Sequence, residues 1–251
     1  MNIDLTGQRA LVTGASRGIG AAIAAALAAS GARVVAHYGS RRAGAEAAIQ
    51  GAAGCSAMAA DLADARACAQ LVTDAAAAMG GIDLLVNNAG VAMDSSLEAP
   101  LDAWVKDWST TLSVNLTAPA ILTRQAMPHF RKAGGGRVVF IASRAAFRGD
   151  TPEYLAYAAS KGGMVALARS IARGMGKDNV KSFVVSPGFT RTEMAEAFIT
   201  EYGEDFAMKD MVLDRMTEPR DIAPLVVFLA SGMADHCTGT AIDVNAASYV
   251  R

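Results

Sequence analysis

The stretch "LVTGASRGIGAAIAAALA", Leu11 to Ala28, decides the fold. It opens with apolar, strand-favouring residues, passes three glycines at Gly14, Gly18 and Gly20, and continues into an alanine-rich run that favours helix. A strand that turns through glycines into a helix is the start of a βαβ unit. There, Gly14 permits a tight turn, Gly18 lets the backbone approach a pyrophosphate, and Gly20 allows close helix packing, while the helix N-terminus attracts the anion. The same glycines would also serve a turn that binds nothing, so the rest of the chain must discriminate.

Outward from this stretch, short apolar runs alternate with helix-like segments: "RALVT", "ARVVAH", "CSAMAA", "IDLLVN", "GRVVFIAS", "VKSFVV" and "TAIDV". This alternation predicts an α/β fold, a single Rossmann-type, doubly wound parallel sheet of about seven strands with helices on both faces. A chain of 251 residues fits one such domain, residues 1–251. The connection after "SPG", residues 189–218, is long enough to be a lid over a substrate. Its Phe189, Met194, Phe198, Phe206, Met208, Met211 and Met216 would either close over an apolar substrate or pack the lid onto the body.

The net charge of −1 argues against a nucleic-acid partner, which needs clustered basic charge. No apolar run of about 20 residues marks a membrane span, and no leader precedes the first strand, so a cytoplasmic protein is expected. Cys55, Cys68 and Cys237 are odd in number and widely spaced, as expected of reduced thiols. His37, His129 and His236 lack ligand spacing, so no metal site is expected.

"YLAYAASK", residues 154–161, places two tyrosines before a lysine. On a helix Tyr157 and Lys161 are neighbours about 6 Å apart along the axis, whereas Tyr154 lies about 10 Å from the lysine. Tyr157 is therefore the better candidate for coupled chemistry, against the plain alternative of an amphipathic helix edge.

Thr13, Gly14, Gly18 and Gly20 meet the pattern Thr-Gly-x-x-x-Gly-x-Gly, and here the chain resembles the short-chain dehydrogenase/reductase family. The resemblance covers essentially the whole chain: Asp61 in "AADLAD", "NNAG" at Asn87–Gly90, Asn115 in "SVNL", Ser143 in "VVFIAS", the Tyr157–Lys161 pair, and Pro187, Gly188 and Thr192. It implies hydride transfer between a nicotinamide cofactor and a ketone or secondary alcohol. Tyr157 would be the acid/base, Lys161 would lower its pKa and hold the nicotinamide ribose, Ser143 would polarise the substrate oxygen, and Asn115 would hold a relay water. The implied cofactor surface comprises Gly14, Ser16, Arg17, Gly18, Ile19, Gly20, Tyr38, Ser40, Arg41, Asp61, Leu62, Asn88, Ala89, Gly90, Tyr157, Lys161, Pro187, Gly188, Thr190 and Thr192.

An acidic residue at the end of the second strand would favour NAD(H) by binding ribose hydroxyls and repelling a 2′-phosphate. This chain has Tyr38 there, with Arg17, Ser40, Arg41 and Arg42 close in sequence, so NADP(H) is expected and NAD(H) is the alternative. Within the family the nearest functional resemblance is to the 3-oxoacyl-[acyl-carrier-protein] reductase-like branch, with an acyl carrier protein or CoA thioester as partner. Two departures weaken it: "VAMDSSLEAP" after "NNAG", and "NAAS" where two glycines usually follow the asparagine. The rivals are an NAD-dependent dehydrogenase of a sugar or other secondary alcohol, and a non-catalytic NADP-binding regulator. The family resemblance also implies a homotetramer or homodimer.

Overall fold

A computed structural model describes residues 3–251, without the side chains of residues 197, 198, 201, 202, 206 and 207. Phe198 and Phe206 of the expected lid therefore lie outside the described side chains. The strands are β1 (Arg9–Val12), β2 (Arg33–Tyr38), β3 (Ser56–Ala59), β4 (Leu84–Asn87), β5 (Gly136–Ile141), β6 (Val180–Pro187) and β7 (Ala241–Val244). The helices are α1 (Gly18–Ala29), α2 (Arg42–Ala48), α3 (Ala65–Met79), α4 (Leu101–Leu112), α5 (Ala118–Lys132), α6 (Ala145–Arg148), α7 (Leu155–Gly174), α8 (Glu193–Tyr202), α9 (Glu204–Met208) and α10 (Pro219–Ala230). All seven strands pair in parallel, in the order β3-β2-β1-β4-β5-β6-β7. Every apolar run singled out in the sequence supplies one strand.

Side chains alternate across the sheet with the strand period of two. Ala10, Val12, Val34, Ala36, Leu84, Val86, Val139 and Ile141 face α1 and α10. Leu11, Val35, Leu85, Val138 and Phe140 face α3, α5 and α7. Both faces are covered, so the central strands read as continuous apolar runs and not as alternating ones. Helix ends follow local chemistry. Asp64 caps α3 by accepting from the N–H groups of Arg66 and Ala67, and Gly80 ends it in the left-handed conformation. Glu218 and Asp221 form a reciprocal capping box on α10.

The strand order reverses between β1 and β4, which opens a crevice at the carboxyl ends of the strands. Onto that rim come the glycine turn after β1, Tyr38 at the end of β2, Asp61 after β3, Asn88–Gly90 after β4, Ser143 after β5, Gly188 after β6 and Asn245 after β7. Residues 189–218 hold α8 and α9, and the set of apolar residues expected there divides: Met216 is buried, while Met194 is 50% exposed.

Ala246 and Ala247, where the resemblance leads one to expect glycines, have φ of 51° and 53°. In this left-handed region a Cβ crowds the following carbonyl, and glycine carries no such penalty. Ala246→Gly and Ala247→Gly are each expected to stabilise the protein by about 0.5–1 kcal/mol. The double variant should melt a few degrees higher in calorimetry, about 2–4 °C per kcal/mol at this chain length. An unchanged or lower midpoint would show that the strain is relieved in some other way.

Candidate active site

The glycine turn is held by contacts from two neighbouring strands. Thr13 Oγ1 accepts from the N–H groups of Asn88 (2.9 Å) and Ala89 (3.0 Å), while Asn88 Nδ2 donates to the carbonyls of Thr13 (2.8 Å) and Gly14 (3.1 Å). Asn88 thus braces the turn with its side chain. A Cβ at Gly20 would lie 2.2 Å from Gly14 O, and one at Gly14 would lie 2.9 Å from Ala89 Cα, so neither position admits a larger residue without rebuilding the turn. Gly14 and Gly18 have φ of 64° and 55°. Arg17 is the N-cap of α1 and no side chain caps the helix, so its first-turn N–H groups are available to an anion.

His37, which sequence spacing did not recommend, has a clear structural role. Its Nδ1 accepts from the Gly14 N–H at 3.1 Å and its Nε2 lies 3.1 Å from Ala60 O, which fits the neutral tautomer protonated on Nε2. Burial holds its pKa below the ordinary value. His37 ties the glycine turn to the end of β3, a contact that only the β1-β2-β3 order creates.

Tyr38 is half-buried at the end of β2, and Asp61 is exposed after β3, with Oδ1 accepting from Ala63 N at 2.9 Å. Leu62 is buried. Ser16, Arg17, Ile19, Ser40 and Arg41 lie around the open side of the turn. Arg17 and Arg41 converge on one carboxylate, Glu193 at the start of α8: Arg41 Nη1 is 2.7 Å from both of its oxygens, and Arg17 Nη1 also donates to it. These two arginines hold the Glu193 carboxyl below its usual pKa range. Arg42 is occupied instead by Glu46 on its own helix, so it does not join the pair. Two guanidinium groups gripping an anion beside an uncapped helix start are suited to a phosphate monoester, and the residues present fit a dinucleotide carrying one.

On the other side of the crevice, Tyr157 and Lys161 occupy the first turns of α7. Lys161 is 3% exposed; its Nζ donates to Ile141 O at 2.9 Å and lies 5.6 Å from the centre of the Tyr157 ring. The Ser143 hydroxyl, which accepts from Ala145 N at 3.1 Å, is close enough to the Tyr157 phenol to favour its ionised form. Tyr154 sits in the turn that precedes α7. The structure thus brings Ser143, Tyr157 and Lys161 together.

One expectation needs correction. The net shift of the phenol is upward, not downward as the spacing to Lys161 predicts. Burial pushes Tyr157 up to about 12, opposed by the Ser143 hydroxyl and reinforced by the Asp150 carboxylate, while burial brings Lys161 down to about 8. Loss of solvation outweighs the ammonium, whose Nζ is directed to Ile141 O. Asn115, for its part, lies on a π-helical turn, Ser113–Thr117, with its side chain fully engaged. Its Oδ1 accepts from Val91 N and its Nδ2 donates to Val91 O, each at 2.8 Å, and Nδ2 also donates to Ser160 Oγ at 3.0 Å. That amide clips the segment after β4 to α7. A Cβ on Gly90 would lie 3.3 Å from Asn115 Oδ1 and 3.4 Å from Lys161 Nζ, so Gly90 keeps the backbone close to both.

Gly188 N donates to Val244 O at 3.0 Å, and Thr190 Oγ1 donates to Gly188 O at 3.1 Å. Thr192 starts α8 beside Gly18, where a Cβ on the glycine would lie 3.2 Å from its methyl group. The loop after β6, from Pro187, therefore meets the glycine turn across the crevice. Among the described residues no cluster of His, Cys, Asp or Glu suits a metal ion, the three cysteines are free, and no helix is long and apolar enough to cross a membrane.

Comparison with known proteins agrees with this geometry. The family described as enoyl-(acyl carrier protein) reductase matches residues 14–246. Versicolorin reductase 1 of Aspergillus parasiticus is 34% identical, covering 99% of this chain and 98% of its own. The 3-oxoacyl-[acyl-carrier-protein] reductase of Vibrio harveyi is 33% identical, covering 99% and 100%. Among solved structures, a short chain dehydrogenase from Burkholderia cenocepacia in complex with NADP superposes with a TM-score of 0.87 at 35% identity, covering 97% and 98%. With a seven-stranded parallel sheet and near-complete coverage of these relatives, the chain belongs to the short-chain dehydrogenase/reductase family of NAD(P)-dependent oxidoreductases.

Proposed function

We propose that the protein reduces a ketone to a secondary alcohol with NADPH. The observation that carries this reading is the Ser143–Tyr157–Lys161 group at the mouth of a crevice whose other side is the glycine turn. A bound nicotinamide supplies the hydride. The chain's own residues supply the proton and the orientation. A phenol whose pKa is about 12 stays protonated through the neutral range, so Tyr157 Oη is a proton donor to a carbonyl oxygen. Ser143 Oγ orients that oxygen and hydrogen-bonds the phenolate left behind. The Lys161 ammonium nearby offsets the negative charge that develops. Asn115 acts by positioning, through Val91 and Ser160.

The preference for NADP(H) rests on Arg17 and Arg41, and the NADP in the Burkholderia cenocepacia structure supports it. Residues 189–218 would be the substrate lid, since Thr192 and Glu193 touch the glycine turn and its arginines. Leu97, Leu101 and Val105, exposed before and along α4, support assembly into dimers or tetramers. Reduction of a ketone panel with NADPH and NADH tests the reading. Wild type should favour NADPH, and Arg17→Ala with Arg41→Ala should raise the KM for NADPH by about 10-fold or more while leaving that for NADH nearly unchanged, as expected when charge-assisted contacts to a phosphate are lost. A wild type that prefers NADH would refute the assignment.

A further inference from the structure

Two arginines beside the reactive hydroxyls have no part in the chemistry described so far. Arg144 follows Ser143 directly, and its backbone N–H donates to Pro187 O at 2.9 Å. Its side chain is only 12% exposed. Its Nη1 is buried with no hydrogen-bond partner, and the nearest carboxylate oxygen, Asp210 Oδ2, is 4.0 Å away. Arg148, four residues later on α6, places its own Nη1 3.2 Å from that same oxygen. Asp150 acts electrostatically on Arg144 and also on the Tyr157 phenol, so arginines, acids and phenol belong to one cluster.

A buried guanidinium with an unused N–H is costly unless something of opposite charge reaches it. Burial and the neighbouring Arg148 hold the Arg144 pKa below its ordinary value, so Asp150 and Asp210 do not fully offset the two cations. Asp210 comes from the 189–218 segment and is itself 49% exposed. It presents a carboxylate to the pair from the solvent side, at hydrogen-bond distance to one arginine and beyond it for the other.

We infer that Arg144 and Arg148 bind a substrate carboxylate in the place Asp210 now half-fills, so that the physiological substrate is an oxo carboxylic acid and its alcohol product a hydroxy acid. This rests on the reading of Ser143 and Tyr157 as the groups that meet the reacting oxygen. The planar fork of a guanidinium matches a carboxylate, and the one-residue step from Ser143 to Arg144 ties that end of the substrate to the carbonyl end. A neutral ketone leaves Arg144 as it is, and so does a 3-oxoacyl thioester, whose acyl chain ends in a methyl group.

Calorimetric titration of the protein saturated with NADP⁺ tests this with 3-oxobutanoate, 4-oxopentanoate and 5-oxohexanoate, each beside its methyl ester. At least one acid should bind about 10-fold or more tightly than its ester, the worth of a hydrogen-bonded charge pair. Arg148→Gln should bring the ratio close to one. Asp210→Asn, which removes the competing carboxylate, should increase it. Arg144→Gln is the more direct variant, but it alters a buried site; Arg148, a third exposed, keeps the test open if that variant does not fold. Acids that bind no better than esters, or a preference that survives Arg148→Gln, would overturn the inference. Turnover of short 3-oxoacyl thioesters above every acid would also overturn it. Arg148-dependent binding of an acid without NADPH oxidation on any carbonyl would instead sink the reductase reading and leave the carboxylate site standing.

Discussion

Tyr157→Phe is expected to lower ketone reduction by about 10²- to 10⁴-fold, the usual contribution of a positioned acid, while NADPH binds within a few-fold of wild type. The substitution deletes one hydroxyl and leaves the ring against α7. The lost group is the partner of Ser143, and no other described side chain at this position offers a proton to a bound carbonyl. Tyr154→Phe is the control, seven residues from Lys161 and in the turn before the helix, and should cost far less. Steady-state rates with cofactor binding measured separately decide the matter. Equal losses in two folded variants would remove Tyr157 from its assigned role.

Lys161→Met should be nearly as damaging, at about 10²-fold or more in rate, with weaker cofactor binding as well. The pH profile distinguishes charge from shape. Burial places the Lys161 pKa near 8, below its ordinary value, so the ammonium is present at neutrality and is lost as pH rises through about 8. Reduction by wild type should therefore be level from about pH 6 to 7.5 and decline above pH 8, because the charge that offsets the phenolate disappears. The methionine variant has no such charge to lose, and its low rate should stay flat over that interval. A wild-type rate that holds to pH 10 would show that the ammonium is not required.

The sheet was legible because each buried strand is a short apolar run bounded by turn residues, and the glycine turn because only glycine tolerates those conformations and contacts. The spacing of Tyr157 and Lys161 was legible for the same reason, as a property of the helix. The direction of the Tyr157 shift was not, since desolvation depends on what packs around the phenol. Contacts between distant segments were equally hidden: Glu193 lies 152 residues from Arg41, and His37 meets Gly14 only because β2 pairs with β1. Arg144 and Arg148 carried no signal in the sequence, since only the fold sets them beside Asp210.

The π-helical turn at Ser113–Thr117 gave no signal in composition, because it is a matter of count. Each residue advances an α-helix by 100°, and the wide turn absorbs one residue more than an α-turn would. Removing one of the four residues other than Asn115 would let the turn close to ordinary pitch, keeping α5 nearly in phase with α4 while moving Asn115 out of its present place in the turn. Its amide would then no longer line up with Val91 and Ser160 although Asn115 itself is kept. The crevice therefore depends on chain arithmetic at this place as much as on chemistry, and a homologue of this chain that keeps each motif but is one residue short here would have to rebuild the clip from another position.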